Sequence, residues 1–419
     1  MHAYPEHLAQ SIRVALAERG LPEISIEALE DLVSTAYQAS LLRDEERPVT
    51  FRVILVSPDD LPIDRGPPSG FHRLRFDEPR AFDEEELRRL APAAKIQRSL
   101  IGARLLHGGL QIWGLVHSGP GWLRSQQGGR TAQHQVADAL VLTVSGPGRL
   151  HASWGDQGIG TIVGGRLVAR QIDVFESQWL RDSFRTVRGE LEALHATEHR
   201  AEWAPLAPGL AGRIAQTFVR RIVGTIRVAR HGGTVIIVPP SFAEAGPSEA
   251  LRLKYVFEDD AARSRYRTLL LRAMSALAAS HAGRTEPVGF AEWNESTDRE
   301  VMSIDEGLFE LAHMIAALSD VDGATVVTQR LEVLGFGAEI GAGLPHVPTV
   351  MRALDLEGTN LVGERTDGVG TRHRSAYRFC NAYPEAIAIV VSQDGIVRFV
   401  KKKDDQVTYS EHASSGGEA

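Results

Sequence analysis

The sequence is poor in cysteine and has no long apolar run. Its single cysteine, Cys380, excludes a disulfide within the chain and any zinc site built on several thiolates. The best apolar run, from Gly233 to Pro239, has the length of a buried strand and is far shorter than a membrane-spanning helix. The first residues also lack the apolar core of a signal peptide. We therefore expect a soluble, cytoplasmic protein without a membrane partner.

An excess of basic residues is also absent. The formal net charge is −8 and the sequence pI is about 6.0, whereas a sequence-independent nucleic-acid binder normally presents a basic face. A nucleic-acid partner is therefore not expected. Hydrophobic residues make up 43% and charged residues 24% of the chain, which is typical of globular proteins. A length of 419 residues predicts two or three domains.

The pattern of helices, strands and breakers predicts how the chain is divided. Two helical segments and a strand precede a β-rich stretch with glycine turns between about 110 and 172. The segment Pro205–Pro208 interrupts a later helical stretch and marks a boundary. We predict an N-terminal α+β domain over 1–205 with a β-rich module, a second domain over 206–405, and a disordered tail over 406–419.

The second domain is predicted to be a mixed β-sheet flanked by helices, so the chain belongs to the α/β (α+β) class. A helix with apolar residues every four positions begins at Leu210, and a buried strand follows over 234–238. The sequence from Ser303 to Glu306 fits a capping box and predicts another helix start. Further strands are predicted over 325–327 and 331–340, and a closing hairpin over 386–400.

The motif GTRHRSA, residues 370–376, stands at the predicted start of a helix. Thr371 is suited to the N-cap position, and the free N–H groups of a helix N-terminus bind phosphate well. The two arginines add planar guanidinium groups, the serine adds a hydroxyl, and a neutral histidine can ligate a divalent metal ion. The candidate phosphate-binding residues are Gly370, Thr371, Arg372, Arg374 and Ser375, and His373 would face the metal or the phosphate.

A second motif, Asp322-Gly323-Ala324, lies at a predicted helix-to-strand junction. A carboxylate at this position can ligate Mg²⁺ or Mn²⁺ and lower the pKa of a nearby hydroxyl. Gly323 would let a nucleotide lie against the backbone. In isolation such a motif is most often a simple loop carboxylate, so its meaning depends on the other motifs.

Taken in order, these motifs resemble those of a known family. The region from about Leu210 to Lys403 resembles the diadenylate cyclase domain found in the DNA-integrity scanning protein and in membrane-bound cyclases. The matching pieces are the helix into His231-Gly232-Gly233 with its buried strand, the Asp322 motif, GTRHRSA, and the strand ending in Val391-Ser392-Gln393.

The resemblance implies an enzyme that condenses two ATP molecules into cyclic di-AMP, a second messenger, and releases pyrophosphate. Two domains would meet face to face in a homodimer or higher homo-oligomer, with Mg²⁺ or Mn²⁺ as cofactor. The resemblance assigns catalytic and metal-binding roles to Asp322 and His373, and nucleotide binding to Gly323, Ala324, the GTRHRSA residues and Ser392. The backbone of 334–337 would border the adenine.

Two alternatives stay open in the sequence. The same fold could bind ATP or cyclic di-AMP without turnover and act as a nucleotide sensor. The connection from Ile340 to Gly370 is longer than in compact members of the family, and could cover the pocket, reshape the dimer face or block it. The N-terminal domain carries no motif with recognisable chemistry, and by analogy with the family a sensor or regulatory role is expected for it.

Overall fold

The computed structural model describes residues 2–61, 66–67, 70–119, 138–155, 157–168, 172–198, 200–229, 231–244, 249–257, 260–341, 343–393 and 395–412. Contacts divide the chain into two compact units, Met1–Gln171 and Ile172–Ala413. The second unit begins well before the boundary predicted at 205–206.

The N-terminal unit contains three described helices and a mixed sheet. The helices are α1 (Pro5–Glu18), α2 (Ile26–Leu41) and α3 (Glu84–Leu90). The strands are β1 (Arg43–Asp44), β2 (Arg47–Pro48), β3 (Phe51–Leu55), β4 (His72–Ala81), β5 (Ser99–Leu106), β6 (Gly109–His117), β7 (Leu140–Gly146), β8 (Arg149–Trp154), β9 (Gln157–Val163) and β10 (Arg166–Val168).

Eight of these strands form one sheet in the order β10-β9-β8-β7-β3-β5-β6-β4. β3 and β5 run parallel, and the other neighbours are antiparallel. Apolar residues of α1 and α2, such as Ile12 and Leu32, pack with Phe51 and Leu142 in one core. The predicted β-rich α+β domain is therefore present.

The C-terminal unit alternates helices and strands. Its helices are α4 (Gln178–Ser183), α5 (Arg185–Glu198), α6 (Leu210–Ala229), α7 (Pro240–Glu244), α8 (Asp260–Arg263), α9 (Arg265–Ser280), α10 (Phe290–Glu295), α11 (Arg299–Leu318) and α12 (Thr371–Ala382). Its strands are β11 (Gly233–Val238), β12 (Leu251–Arg252), β13 (Tyr255–Val256), β14 (Ala324–Thr328), β15 (Val333–Ile340), β16 (Thr349–Ala353), β17 (Leu361–Arg365), β18 (Ile387–Val391), β19 (Val397–Lys403) and β20 (Gln406–His412).

These strands form one mixed sheet in the order β12-β15-β14-β11-β18-β19-β20-β16-β17, with β13 also paired to β15. Alternate residues of β11 enter two different cores. Val235 and Ile237 pack with the apolar residues of α6, α9 and α11, whereas Ile236 and Val238 pack with those of α12. The predicted mixed sheet flanked by helices is confirmed.

The early start of this unit has a simple cause. Leu180 of α4 and Leu191 of α5 are buried in the same core as Ile214 of α6, so the helices before Pro205 pack within the C-terminal unit. The proline-rich segment at 205–208 is a connection inside this unit and does not separate two domains.

The predicted disordered tail over 406–419 is wrong in its first half. Residues 406–412 form β20, which is antiparallel to β19 and parallel to β16. Val407 and Tyr409 are buried there because they face the core under α12. Residues 413–419 lie outside the described residues.

The long connection between Ile340 and Gly370 contains the β16–β17 hairpin. β16 pairs with β20, so the hairpin extends the sheet on the side away from β14. Three strands separate it from β11. It is thus an additional part of the sheet, which explains its length.

The capping box predicted at Ser303 is also wrong. Helix α11 begins one turn earlier, and the Asp298 carboxylate accepts hydrogen bonds from the backbone N–H groups of Glu300 and Val301 at 2.9 and 3.0 Å. Val301 is fully buried, so the helix has to include it for its apolar face to reach the core. Among the described helices, none is both long and apolar enough to cross a membrane.

Candidate functional site at one end of the sheet

Strand pairing brings the sequence motifs to the same end of the C-terminal sheet. β11 is parallel to β14, with Val235 opposite Thr325, and antiparallel to β18, with Gly233 opposite Val391. The residues that precede β11, those that precede β14 and those that follow β18 therefore lie side by side. We call this end of the sheet, formed by 231–233, 320–323 and 391–393, the motif end.

Helix α12 begins at the motif end. The Arg372 guanidinium donates a hydrogen bond from Nη1 to the carbonyl oxygen of His231 at 3.0 Å. This contact fixes the first turn of α12 over the segment before β11. It also shows that Arg372 supports the site through the protein backbone, a role that the motif alone did not indicate.

The N-cap of α12 is Gly370, with Thr371 as the first helical residue. The prediction that Thr371 caps the helix is therefore wrong by one position. Gly370 has no side chain, so no side-chain oxygen accepts from the first N–H groups of the helix. An anion at this N-terminus could accept those hydrogen bonds and would be favoured by the helix dipole.

The remaining side chains of the first turn are within reach of solvent. Arg374 is partly exposed, and its Nη2 lies 3.5 Å from Thr371 Oγ1. Ser375 and His373 are also partly exposed, and the His373 ring centroid lies 6.3 Å from that of Tyr377. These residues present two guanidinium groups, an imidazole and hydroxyls around one helix N-terminus.

The loop before β11 requires a glycine. Gly232 has a φ of +69°, and a Cβ there would lie 2.7 Å from the Val391 carbonyl oxygen and 3.0 Å from Arg372 Nη1. The loop is thus packed tightly between the end of β18 and the arginine of α12.

A contact between His231 and Asp320 was not predicted from the sequence. His231 Nε2 lies 2.7 Å from Asp320 Oδ1, and this pair connects the end of α6 to the end of α11. The signal available in the sequence was a histidine before two glycines and an aspartate two residues before the Asp322 motif. Neither indicates the pair, because the two helix ends are far apart along the chain.

The Asp322 turn joins α11 to β14. Asp322 is exposed, and its carboxylate forms no hydrogen bond or ion pair with the residues that the structure describes. Gly323 has a φ of +117°, and a Cβ there would lie 2.5 Å from the Gly337 carbonyl carbon on β15. The glycine therefore lets this turn lie against the segment 334–337, which was expected to border a nucleotide.

Two predicted nucleotide-binding residues are engaged elsewhere. Ala324 is buried at the start of β14, and its methyl group packs in the core with Val326. Ser392 closes the turn between β18 and β19, because its hydroxyl accepts from the Ile396 N–H and donates to the Ile396 carbonyl oxygen, both at 3.1 Å. Asp394, which belongs to the closing hairpin predicted over 386–400, lies outside the described residues.

The donors available for a metal ion are few. Within the described ranges, no group of three or more His, Cys, Asp or Glu side chains could hold a metal by itself. Mg²⁺ commonly binds one or two carboxylates and takes its other ligands from substrate phosphates and water. The Asp322 carboxylate, which is exposed and forms no ion pair with the residues that the structure describes, fits that mode of binding.

Comparison with known proteins concerns the other unit. Residues 18–117 match the model of a family described as "Probable sensor domain DACNV". The N-terminal unit is similar to a sensor domain. The match runs from the last residue of α1 to the last residue of β6. It does not include the motif end. No curated protein matches the chain.

Proposed function

We propose that the chain is a diadenylate cyclase whose N-terminal unit is a sensor domain that regulates it. The observation that carries the proposal is the convergence at the motif end of Asp322, the first turn of α12 and the loop at Gly232. The sensor-domain match over 18–117 supports the regulatory half.

The reaction joins two ATP molecules. Each 3′-oxygen forms a bond to the α-phosphorus of the other nucleotide, the bond from that phosphorus to the bridging oxygen breaks, and pyrophosphate leaves. Each attacking hydroxyl loses its proton. Such transfers depend on positioning and charge neutralisation more than on a protein nucleophile.

The chain's own residues suit this task. The N-terminus of α12 with Arg374 would bind phosphate oxygens, and Arg372 would hold the loop before β11 against them. The Asp322 carboxylate would lie beside the 3′-hydroxyl and favour its loss of a proton. A Mg²⁺ or Mn²⁺ ion held by Asp322, with His373 close by, would supply further neutralisation of phosphate charge.

Two observations favour a second candidate, a sensor that binds ATP or cyclic di-AMP without turnover. The Ser392 hydroxyl is already hydrogen-bonded within its turn, and the described residues offer no three-donor metal group. The purified protein incubated with ATP and Mn²⁺ or Mg²⁺ decides between the two. Cyclic di-AMP detected by mass spectrometry supports the enzyme, and saturable nucleotide binding without product supports the sensor.

For the cyclase, the first prediction concerns Asp322. Asp322→Asn keeps the size of the side chain and removes its charge, so we expect product formation to fall at least about 100-fold. ATP binding should persist in weakened form. Glu310→Gln is the control, because Glu310 is an exposed carboxylate on α11 away from the turn. Wild-type turnover by Asp322→Asn would exclude the catalytic role.

A further inference from the structure

A cavity of about 80 Å³ lies in the C-terminal unit between the sheet and the helices α5, α6 and α9. Its floor is apolar and includes Ile237 of β11, Ile389 of β18 and Phe399 of β19. Its walls include Leu191, Ala215 and Leu270 from the three helices. The residues of the Asp322 turn and of the first turn of α12 do not line it.

Two polar groups at this cavity form no side-chain hydrogen bond or ion pair with the described residues. The first is the Tyr266 hydroxyl, which is buried and has no hydrogen-bond partner among the described residues. A buried hydroxyl without a partner costs free energy that a ligand in the cavity could recover. Burial also raises the pKa of Tyr266, so the group stays an O–H donor.

The second group is the guanidinium of Arg188. Among the arginines that line the cavity, Arg330 and Arg267 lie 2.9 and 3.9 Å from Glu190, and Arg181 lies 3.8 Å from Glu176. Arg188 forms no hydrogen bond or ion pair with a described residue through its side chain.

Arg188 packs closely against α6 and is partly buried. A Cβ on Gly212 would lie 3.2 Å from Arg188 Cδ, so the glycine lets the arginine lie close to α6. Burial lowers the pKa of Arg188, the charges of Arg185 and Arg181 add to this shift, and those of Glu192 and Asp182 oppose it. A partly buried cation without a partner is stabilised by an anion.

We propose that this cavity binds a small amphipathic carboxylic acid. The apolar part would fill the space over Ile237 and Phe399, the carboxylate would pair with Arg188, and Tyr266 would donate a hydrogen bond to a ligand oxygen. Since about 10–15 Å³ of such space holds one water molecule, the cavity takes on the order of six carbon atoms. An apolar pocket with a few placed polar groups is typical of small-molecule sites.

The test uses three linear probes with the same number of carbon atoms and different head groups: hexanoate, 1-hexanol and hexylammonium. Isothermal titration calorimetry on the full chain should give a dissociation constant for hexanoate on the order of 1 mM. Hexanol should bind more weakly, and hexylammonium should not bind detectably, because its charge repels Arg188. Equal affinities for the three probes, or no binding of hexanoate up to 20-fold above about 1 mM, would overturn the proposal.

Substitutions of residues that line the cavity test whether hexanoate binds there. Arg188→Gln should weaken hexanoate about 10-fold and leave hexanol unchanged. Arg185→Gln is the matched control, because Arg185 lies on the same helix, is exposed and pairs with Asp182. Ala215→Leu fills the space and should abolish binding of both probes.

Tyr266→Phe gives an independent readout. It should weaken hexanoate binding several-fold without lowering the melting temperature of the free protein, because the hydroxyl it removes forms no hydrogen bond with a described residue. Circular dichroism and the melting temperature verify that each variant is folded. Hexanoate binding unchanged in both Arg188→Gln and Ala215→Leu would place the ligand elsewhere and sink the proposal.

Discussion

At the scale of single residues, the two arginines of GTRHRSA have different surroundings. Arg372 donates to the His231 carbonyl oxygen, whereas Arg374 lies near Thr371 of its own turn. The first therefore connects α12 to the loop before β11, and the second is available to a ligand. The sequence does not show this difference, because both residues are arginines and their roles depend on where each side chain lies on the helix.

This difference predicts distinct outcomes for the two substitutions. Arg374→Gln should weaken ATP binding about 10-fold and leave the free energy of unfolding unchanged. Arg372→Gln should weaken ATP binding and also lower the free energy of unfolding by about 1 kcal/mol, because the hydrogen bond to His231 is lost. Urea unfolding and ATP titration separate the two effects. Equal stability losses in both variants would contradict the assignment.

His412 gives a pH-dependent contribution to stability. It is buried between Phe175 and Phe399, with ring centroids 5.1 and 5.7 Å away, and burial lowers its pKa to about 3. Asp173, whose Oδ1 lies 3.6 Å from His412 Nδ1, opposes the shift, and Arg220 and Arg227 add to it. The folded unit therefore holds a neutral imidazole.

The direction in which the free energy of unfolding changes with pH follows from the difference in proton binding between the folded and the unfolded chain. Below pH about 6.5 the unfolded chain binds a proton on His412 that the folded chain excludes, so stability falls as pH decreases towards 3. One such proton gives a slope of about 1 kcal/mol per pH unit between pH 5 and 6. His412→Phe should reduce the slope by that amount, measured by urea unfolding at several pH values. An identical slope in the variant would show that His412 does not control it.

At the scale of elements, the start of α11 is set by Asp298. Its carboxylate accepts from two backbone N–H groups of the first turn. Asp298→Ala should lower the free energy of unfolding by about 1 kcal/mol. Ser303→Ala should be neutral or slightly stabilising, because Ser303 is exposed inside the helix and alanine has the higher helix propensity. A larger loss for Ser303→Ala would instead place the cap at Ser303.

Local patterns predicted most elements but not those that depend on distant partners. The strand 233–238 was predicted from a continuous apolar run and the helix 371–382 from the GTRHRSA motif at its start, and both elements are present. The hairpin β16–β17 was missed because its strands are short and β16 joins the sheet through β20, where Met351 lies opposite Thr408, 57 residues later (408 − 351). In the candidate site, the sequence identified the motifs. It did not predict the His231–Asp320 pair, because that contact depends on two helix ends that are distant along the chain and adjacent in the fold.

At the scale of the whole molecule, the proposed reaction needs two copies of the C-terminal unit. One site can position one 3′-hydroxyl but cannot supply the second nucleotide, so two sites have to face each other across a two-fold contact. We expect specific activity to rise with protein concentration if this dimer is weak. A concentration-independent rate from a protein that stays monomeric by light scattering would exclude this arrangement.

An experiment in which wild-type and variant proteins are mixed tests the same dimer requirement more directly. A tenfold excess of Asp322→Asn at saturating ATP should lower the rate per wild-type molecule, because mixed dimers contain only one complete site. The same excess of Glu310→Gln should not lower it. An unchanged wild-type rate in the presence of Asp322→Asn would show that each chain acts alone.

The inner position of β20 has a consequence for the order in which the sheet assembles. Among the described strands, β20 is the one that connects the hairpin β16–β17 to the rest of the sheet, yet both strands of the hairpin are synthesised before β18, β19 and β20. The hairpin therefore has to wait, unpaired with the sheet, until Gln406–His412 have been synthesised and have docked on β19. Pairing over such sequence distances is slow, and the exposed edges of β16 and β19 are the places where a nascent chain would aggregate.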